Sequence, residues 1–182
     1  HKELHDLLRK GFEVTTADGE VVGVAGYGEP VNSVSLALSV GQYPPIQQIP
    51  AYSGNYSGRQ GGPVKFVVVH DMEGFMPGAI GAFQNPNRKS SAHYLTRASD
   101  GHIVQMVPES LNAWHCGNSW YNRNSIGIEH EGFAGRPNGG GYYTMAQYQA
   151  SANLVAAIVV KYGIPIDRAH IFGHGNVPSS GT

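Results

Sequence analysis

The sequence predicts an α/β fold with a mixed central β-sheet flanked by helices, and three observations carry that expectation. Residues 64–70 form a continuous apolar run and residues 124–131 an alternating one, each of strand length. Residues 91–97 and 102–107 read as two strands joined through the turn Ser99-Asp100-Gly101. Residues 144–162 hold a helical period, with Met145, Tyr148, Ala152, Val155, Val159 and Tyr162 at three- and four-residue steps. Strands alternating with helices, together with a hairpin, require a mixed sheet covered by helices.

Taken in order, residues 1–42 form a small N-terminal element of unassigned role. It has a short helix carrying Leu4, Leu7 and Leu8, then β-prone runs on either side of the turn Asp18-Gly19. Residues 43–62 are rich in Pro, Gly, Ser and Gln and read as a linker and extended lead-in segment. The main domain occupies 63–182. Its first run, 64–70, is continuously apolar and suits a central strand buried on both faces, and 78–83 suggests a short helix. In 124–131, alternation places Ile126, Ile128 and His130 on one face and Ser125, Gly127, Glu129 and Glu131 on the other. Glu129 therefore has small neighbours and room for a ligand, whereas Glu131 reads as solvent-facing or loop-orienting. The helix at 144–162 begins with the capping box Thr144-Met145-Ala146-Gln147 and is stopped by Gly163 and Pro165; its apolar stripe reads as core. The start, His1-Lys2-Glu3-Leu4, has the character of an excised or processed piece, and the main domain is expected to be cut short at its C-terminal end.

At 182 residues the chain can bury a proper core without a metal or disulfide. The formal net charge is −1 with scattered basic residues, which argues against nucleic acid or an anionic membrane surface as partner. No apolar run approaches a membrane span. The single cysteine, Cys116, excludes an intrachain disulfide and a cysteine-only zinc site.

The chemistry lies in two strand-end histidines, in Val67-Val68-Val69-His70 and Phe172-Gly173-His174, with the acidic strand ending in Glu129 between them. A zinc hydrolase needs neutral imidazoles for the metal and a separate carboxylate for its water, so His70, His174 and Glu129 together point to that class. Trp114, His115 and Asn124 flank the Glu129 strand and are expected to line a substrate site, with Trp120-Tyr121 on the same loop. Cys116 beside His115 invites a Cys-His peptidase, but adjacent strand residues point to opposite faces and such nucleophiles usually sit at helix N-termini.

Six ordered motifs then resemble one family: Asn55-Tyr56-Ser57-Gly58-Arg59, Val67-Val68-Val69-His70, Ser91-Ala92-His93-Tyr94, Ala113-Trp114-His115-Cys116-Gly117, Asn124-Ser125-Ile126-Gly127-Ile128-Glu129 and Gly173-His174. They are similar to the zinc-dependent N-acetylmuramoyl-L-alanine amidases of the peptidoglycan-recognition type, the type 2 amidases, from about residue 49 onward. The resemblance implies that family's fold and hydrolysis of the amide between N-acetylmuramic acid and L-alanine, with peptidoglycan or a muropeptide as substrate. It implies Zn2+ held by His70 and His174 and by a third ligand, Cys or Asp, about eight to ten residues beyond His174 and so expected just past Thr182. Where phage-type and animal members carry a catalytic Tyr, this chain has Ala92, and members with Ala there resemble it in ending the Ile-Gly-Ile strand with Glu. Proton shuttling therefore falls to Glu129, and oxyanion stabilisation or substrate contact to His115. His93 either contacts substrate or satisfies a buried hydrogen bond. The expected setting is the cell wall, for a phage lysin or an exported autolysin; the rival is a non-catalytic peptidoglycan-binding module lacking the third ligand.

Overall fold

The computed structural model describes residues 12–15, 21–25, 41–60, 62–136 and 141–179. The helix expected around Leu4–Leu8 lies outside the described residues. The two β-prone N-terminal runs form an antiparallel pair, β1 (Phe12–Thr15) and β2 (Val21–Ala25).

The main sheet has six strands. In chain order they are β3 (Ile46–Gln48), β5 (Phe66–Asp71), β6 (Tyr94–Thr96), β7 (Ile103–Gln105), β9 (Ser125–His130) and β10 (Ile171–Gly173); in space they run β10-β5-β9-β6-β7-β3. The pairs β10/β5, β5/β9, β9/β6 and β7/β3 are parallel and β6/β7 antiparallel, so the sheet is mixed. A separate antiparallel ribbon joins β4 (Tyr56–Gly58) to β8 (Leu111–Ala113). The lead-in segment thus supplies both an edge strand of the sheet and one strand of the ribbon.

Alternation along the strands divides the core. Val67 and Val69, Ile126 and Ile128, Tyr94, Ile103 and Ile171 pack against helix α3 (Met145–Tyr162), through Tyr148, Ala152, Leu154, Val155 and Ile158. Leu95 and Val104 face the other way, onto Met76 and Phe83 of α1 (Met76–Gln84) and Ala113 of β8. His70 and Glu129, at the alternate positions of β5 and β9, share this second face with the bare backbone of Gly127. Val67, Val68 and Val69 are all buried because β5 lies between two strands and two layers.

Thr144 caps α3 by accepting a hydrogen bond from the Gln147 N–H, and Gly163, at φ +65°, closes it in the left-handed conformation that favours glycine. The helix differs from its expected stripe at Met145, which is 65% exposed; as first residue its side chain tilts back toward the N-terminus, off the sheet. A short helix, α2 (Ser119–Asn124), was not anticipated; Asn118 caps it by accepting from the N–H groups of Trp120 and Tyr121. Glu131 is buried and accepts from the N–H groups of Met76 and Ala98, so it orients the start of α1 and a turn.

One polar hub ties distant elements. The buried Glu109 carboxylate accepts from Tyr43 (2.8 Å), Tyr94 (2.9 Å), Tyr162 (3.0 Å) and the Lys161 ammonium (2.7 Å). The lead-in segment, β6 and the end of α3 are thereby held to one side chain.

Candidate active site

Parallel register sets the site. Gly173 pairs with Val69 and His70 with Glu129, so His174, His70 and Glu129 arrive at one level across the adjacent strands β10, β5 and β9. They stand at the strands' C-terminal rim, where ligands of parallel sheets bind.

The imidazoles form a cluster. His70 and His174 have ring centroids 4.7 Å apart, and His70 meets His115 edge-on at 5.0 Å with Nε2 and Nδ1 2.9 Å apart. His70 is buried while His174 is exposed at the mouth. Burial, reinforced by the facing rings of His115, His174 and His130, holds His70 well below the usual imidazole range. A neutral ring is the form that ligates metals. His115 is likewise pushed down, by burial first and then by His93, His174 and the Arg59 guanidinium.

Glu129 is partly buried, and its Oε2 is sealed from solvent without a hydrogen-bond partner. Burial, with the Asp71 carboxylate adding to it, pushes its pKa up to about 8. Such a carboxyl exchanges its proton near neutral pH, as acid–base catalysis requires. A cleft of ≈ 870 Å³ opens above the rim, lined by His70, Asp71, Glu73, Cys116, Gly117 and His174 among others.

The donors present match zinc in kind: two imidazoles, one of them neutral through burial, on neighbouring strands at a cleft. Among the described residues no group of three His, Cys, Asp or Glu side chains comes together to hold a metal ion.

The other expected site residues fall in different places. His115 sits against His70, held there because Asn122 Oδ1 accepts from both the His115 and Cys116 N–H groups. Trp114 is half-buried and donates Nε1–H to Ser57 Oγ. His93 is wholly buried: its Nδ1 accepts from the Gly127 N–H and its Nε2 is 3.2 Å from the Leu111 carbonyl, which leaves no surface for a substrate. Asn124 is buried and donates to the Trp120 carbonyl. It precedes β9, at the rim opposite Glu129, about 13 Å or more along the strand. Trp120 and Tyr121 share that far rim, packed on Phe66 at 5.7 and 5.6 Å. Cys116 is buried, its thiol donates to Asn122 Oδ1, and burial pushes its pKa up to about 11; it forms no pair with the His115 ring.

Two contributors escaped the sequence reading. Ser125 hydrogen-bonds the His115 ring. Arg59 spreads its guanidinium over the carbonyls of Glu109, Arg123 and Ser125, joining the ribbon to the start of β9. Arg59 lay within a recognised motif and Ser125 on the Glu129 face, but only the fold reveals their partners.

Known proteins resemble this chain in sequence and in fold. The chain is 44% identical over 115 residues to N-acetylmuramoyl-L-alanine amidase A of Achromobacter lyticus, covering 63% of this chain and 62% of that one. It is 42% identical over 93 residues to the 1,6-anhydro-N-acetylmuramyl-L-alanine amidase AmpD of Citrobacter freundii, covering 48% and 46%. The chain thus spans less than two thirds of the length of either relative. A crystal structure of a selenomethionine AmpD derivative superposes with a TM-score of 0.60 at 29% identity, covering 81% of this chain and 90% of that one. Residues 60–182 match the family model described as N-acetylmuramoyl-L-alanine amidase, and the chain belongs to that family.

Proposed function

We propose that this chain hydrolyses the amide between N-acetylmuramic acid and the L-alanine of a peptidoglycan stem peptide, as a zinc enzyme acting at the cell wall. The observation that carries the reading is the common level of His70, Glu129 and His174, with the two histidines lining an open cleft. His70 and His174 would hold the zinc, with a third protein donor to close the site. When bound, zinc polarises the scissile carbonyl and lowers the pKa of water at the site. Glu129 takes the proton of the attacking water and delivers it to the departing L-alanine nitrogen, without which that amine is a poor leaving group. Burial of the carboxyl raises its proton affinity, which suits it to hold the proton between those two events.

The test uses zinc-loaded protein with purified sacculi, with reducing-end muropeptides and with 1,6-anhydro muropeptides, following release of the stem peptide. Glu129→Gln should keep fold and zinc content and lower turnover by about 10²- to 10⁴-fold. Near-normal activity in that variant would remove Glu129 from the mechanism. Cleavage of sacculi supports the cell-wall setting of a phage lysin or exported autolysin. Cleavage confined to soluble anhydro compounds opposes it, and binding of sacculi without cleavage would make the chain a recognition module.

A further inference from the structure

We infer that Ser125 and His115 form a hydrogen-bond relay that fixes the tautomer of His70 and leaves its Nδ1 as the nitrogen available to a metal. The inference rests on the reading of His70 as a ligand, and it makes His115 a positioning residue.

The proton assignments follow from one carbonyl. Ser125 Oγ lies 2.6 Å from the Tyr121 carbonyl oxygen, which can only accept, so the hydroxyl hydrogen points there. Towards His115 Nε2, 3.2 Å away, Ser125 can then only accept, so that nitrogen carries a hydrogen. A neutral imidazole has one N–H, which leaves His115 Nδ1 as an acceptor. The 2.9 Å contact with His70 Nε2 is therefore a hydrogen bond donated by His70. His70, also neutral, is left with a bare Nδ1. Among the described residues the hydrogen bonds of the His115 ring run to Ser125 and His70, and none runs to a carboxylate that would hold a second proton on it.

The backbone is shaped to hold this relay. The His115 ring lies flat over Gly127, spanning from Ser125 to His70 on one face of β9, and a side chain at Gly127 would occupy its place. Gly127 is itself pinned from below, its N–H donating to His93 Nδ1. Ligating histidines commonly donate their second N–H to an orienting group, and loss of such a partner typically costs 10–100-fold in metal affinity. Here the partner is an imidazole, itself oriented by a serine. Without Ser125, His115 can turn its proton to Nδ1 and donate to His70 Nε2, which would move the His70 hydrogen onto the nitrogen a metal needs.

Long-range proton–nitrogen correlation spectra of the metal-free full chain near neutral pH read each tautomer directly. His70 and His115 should both appear as Nε2–H. His130, whose Nδ1 lies 3.3 Å from the His70 carbonyl and whose Nε2 is 2.8 Å from Ser151 Oγ, should appear as Nδ1–H and serves as the internal contrast. His70 as Nδ1–H in the unmodified protein overturns the inference. In His115→Asn the amide oxygen replaces the Nδ1 acceptor, so His70 should remain Nε2–H; in His115→Leu and Ser125→Ala it should become mixed. Zinc affinity, measured by chelator competition, should fall about 10- to 100-fold in His115→Leu and Ser125→Ala and be restored in His115→Asn. Equal affinity in all three variants would also overturn it. The tautomers are read without substrate, so failure to cleave muropeptides would sink the proposed activity and leave the relay standing.

Discussion

Gly127 and His115 compete for one volume: a Cβ at Gly127 would stand 2.5 Å from Cγ of the His115 ring and 2.7 Å from its Nδ1. The ring cannot retreat without leaving His70 or Ser125, and β9 is paired on both sides. Gly127→Ala should therefore cost about 1–3 kcal/mol, the range for overpacking a filled core. Urea unfolding checks the value. A variant with an unchanged midpoint and unchanged zinc affinity would contradict this account of the glycine.

Acid should weaken the fold well above the range of its carboxylates. Burial lowers His93 to about 3 and His130 to about 4, while an unfolded histidine titrates near 6.5. Between those values the unfolded chain binds protons that the folded chain refuses. Stability is then full above about pH 6.5 and falls as pH drops towards 3, by up to about 1.4 kcal/mol per pH unit for each such histidine. Unfolding midpoints from pH 7 to 4 measure the slope. His93→Asn, which keeps an acceptor for the Gly127 N–H, should reduce it by about one proton; an identical slope would show that His93 titrates normally.

Cys116 should be inert. With its pKa at about 11, roughly a thousandth of the thiol is ionised at pH 8, and the side chain is buried. A chromogenic disulfide reagent should find no reactive thiol in the native protein and one equivalent in urea. Rapid native reaction would mean that the loop carrying Cys116 opens.

The Glu109 hub should show unequal costs on its two sides. Glu109→Ala strands the buried Tyr94 hydroxyl and removes the acceptor of three other donors, for an expected loss of about 2–4 kcal/mol. Lys161 is half-exposed, so Lys161→Ala should cost less than about 1 kcal/mol after solvent screening. Comparable losses in denaturant melts would place the stabilisation in the ion pair instead of the buried phenols.

Long elements with a clear period were legible in the chain. β5, β9 and α3 each carry enough residues for alternation or a helical stripe to emerge. β3, β4 and β8 have three residues apiece, too few for any period, and α2 announces itself only through the Asn118 cap. The same limit governed the site. That His70, Glu129 and His174 stand at or beside the ends of their strands was readable, and parallel pairing turned that into a common level. Asn124 and Trp120 are close to Glu129 in sequence, but sequence proximity does not say which end of a strand a residue reaches. They lie in α2, which leads into the beginning of β9, so they stand at the far rim. The Ser125–His115 contact depends on a bare Gly127 between two distant segments, which no local pattern encodes.

β10, at one end of the strand order, is three residues long and among the described residues pairs only with β5, more than a hundred residues earlier in the chain. Contacts of such separation are slow to close during folding and give little back until the rest of the sheet exists. His174 hangs from that strand. A brief peeling of β10 from β5 would carry one imidazole away while β5, β9, β6 and α3 stay packed. Such partial openings need less free energy than global unfolding. On heating, the placement of His174 beside His70 should therefore be lost before the helical signal, with the edge of the sheet limiting the site and its core setting the melting temperature.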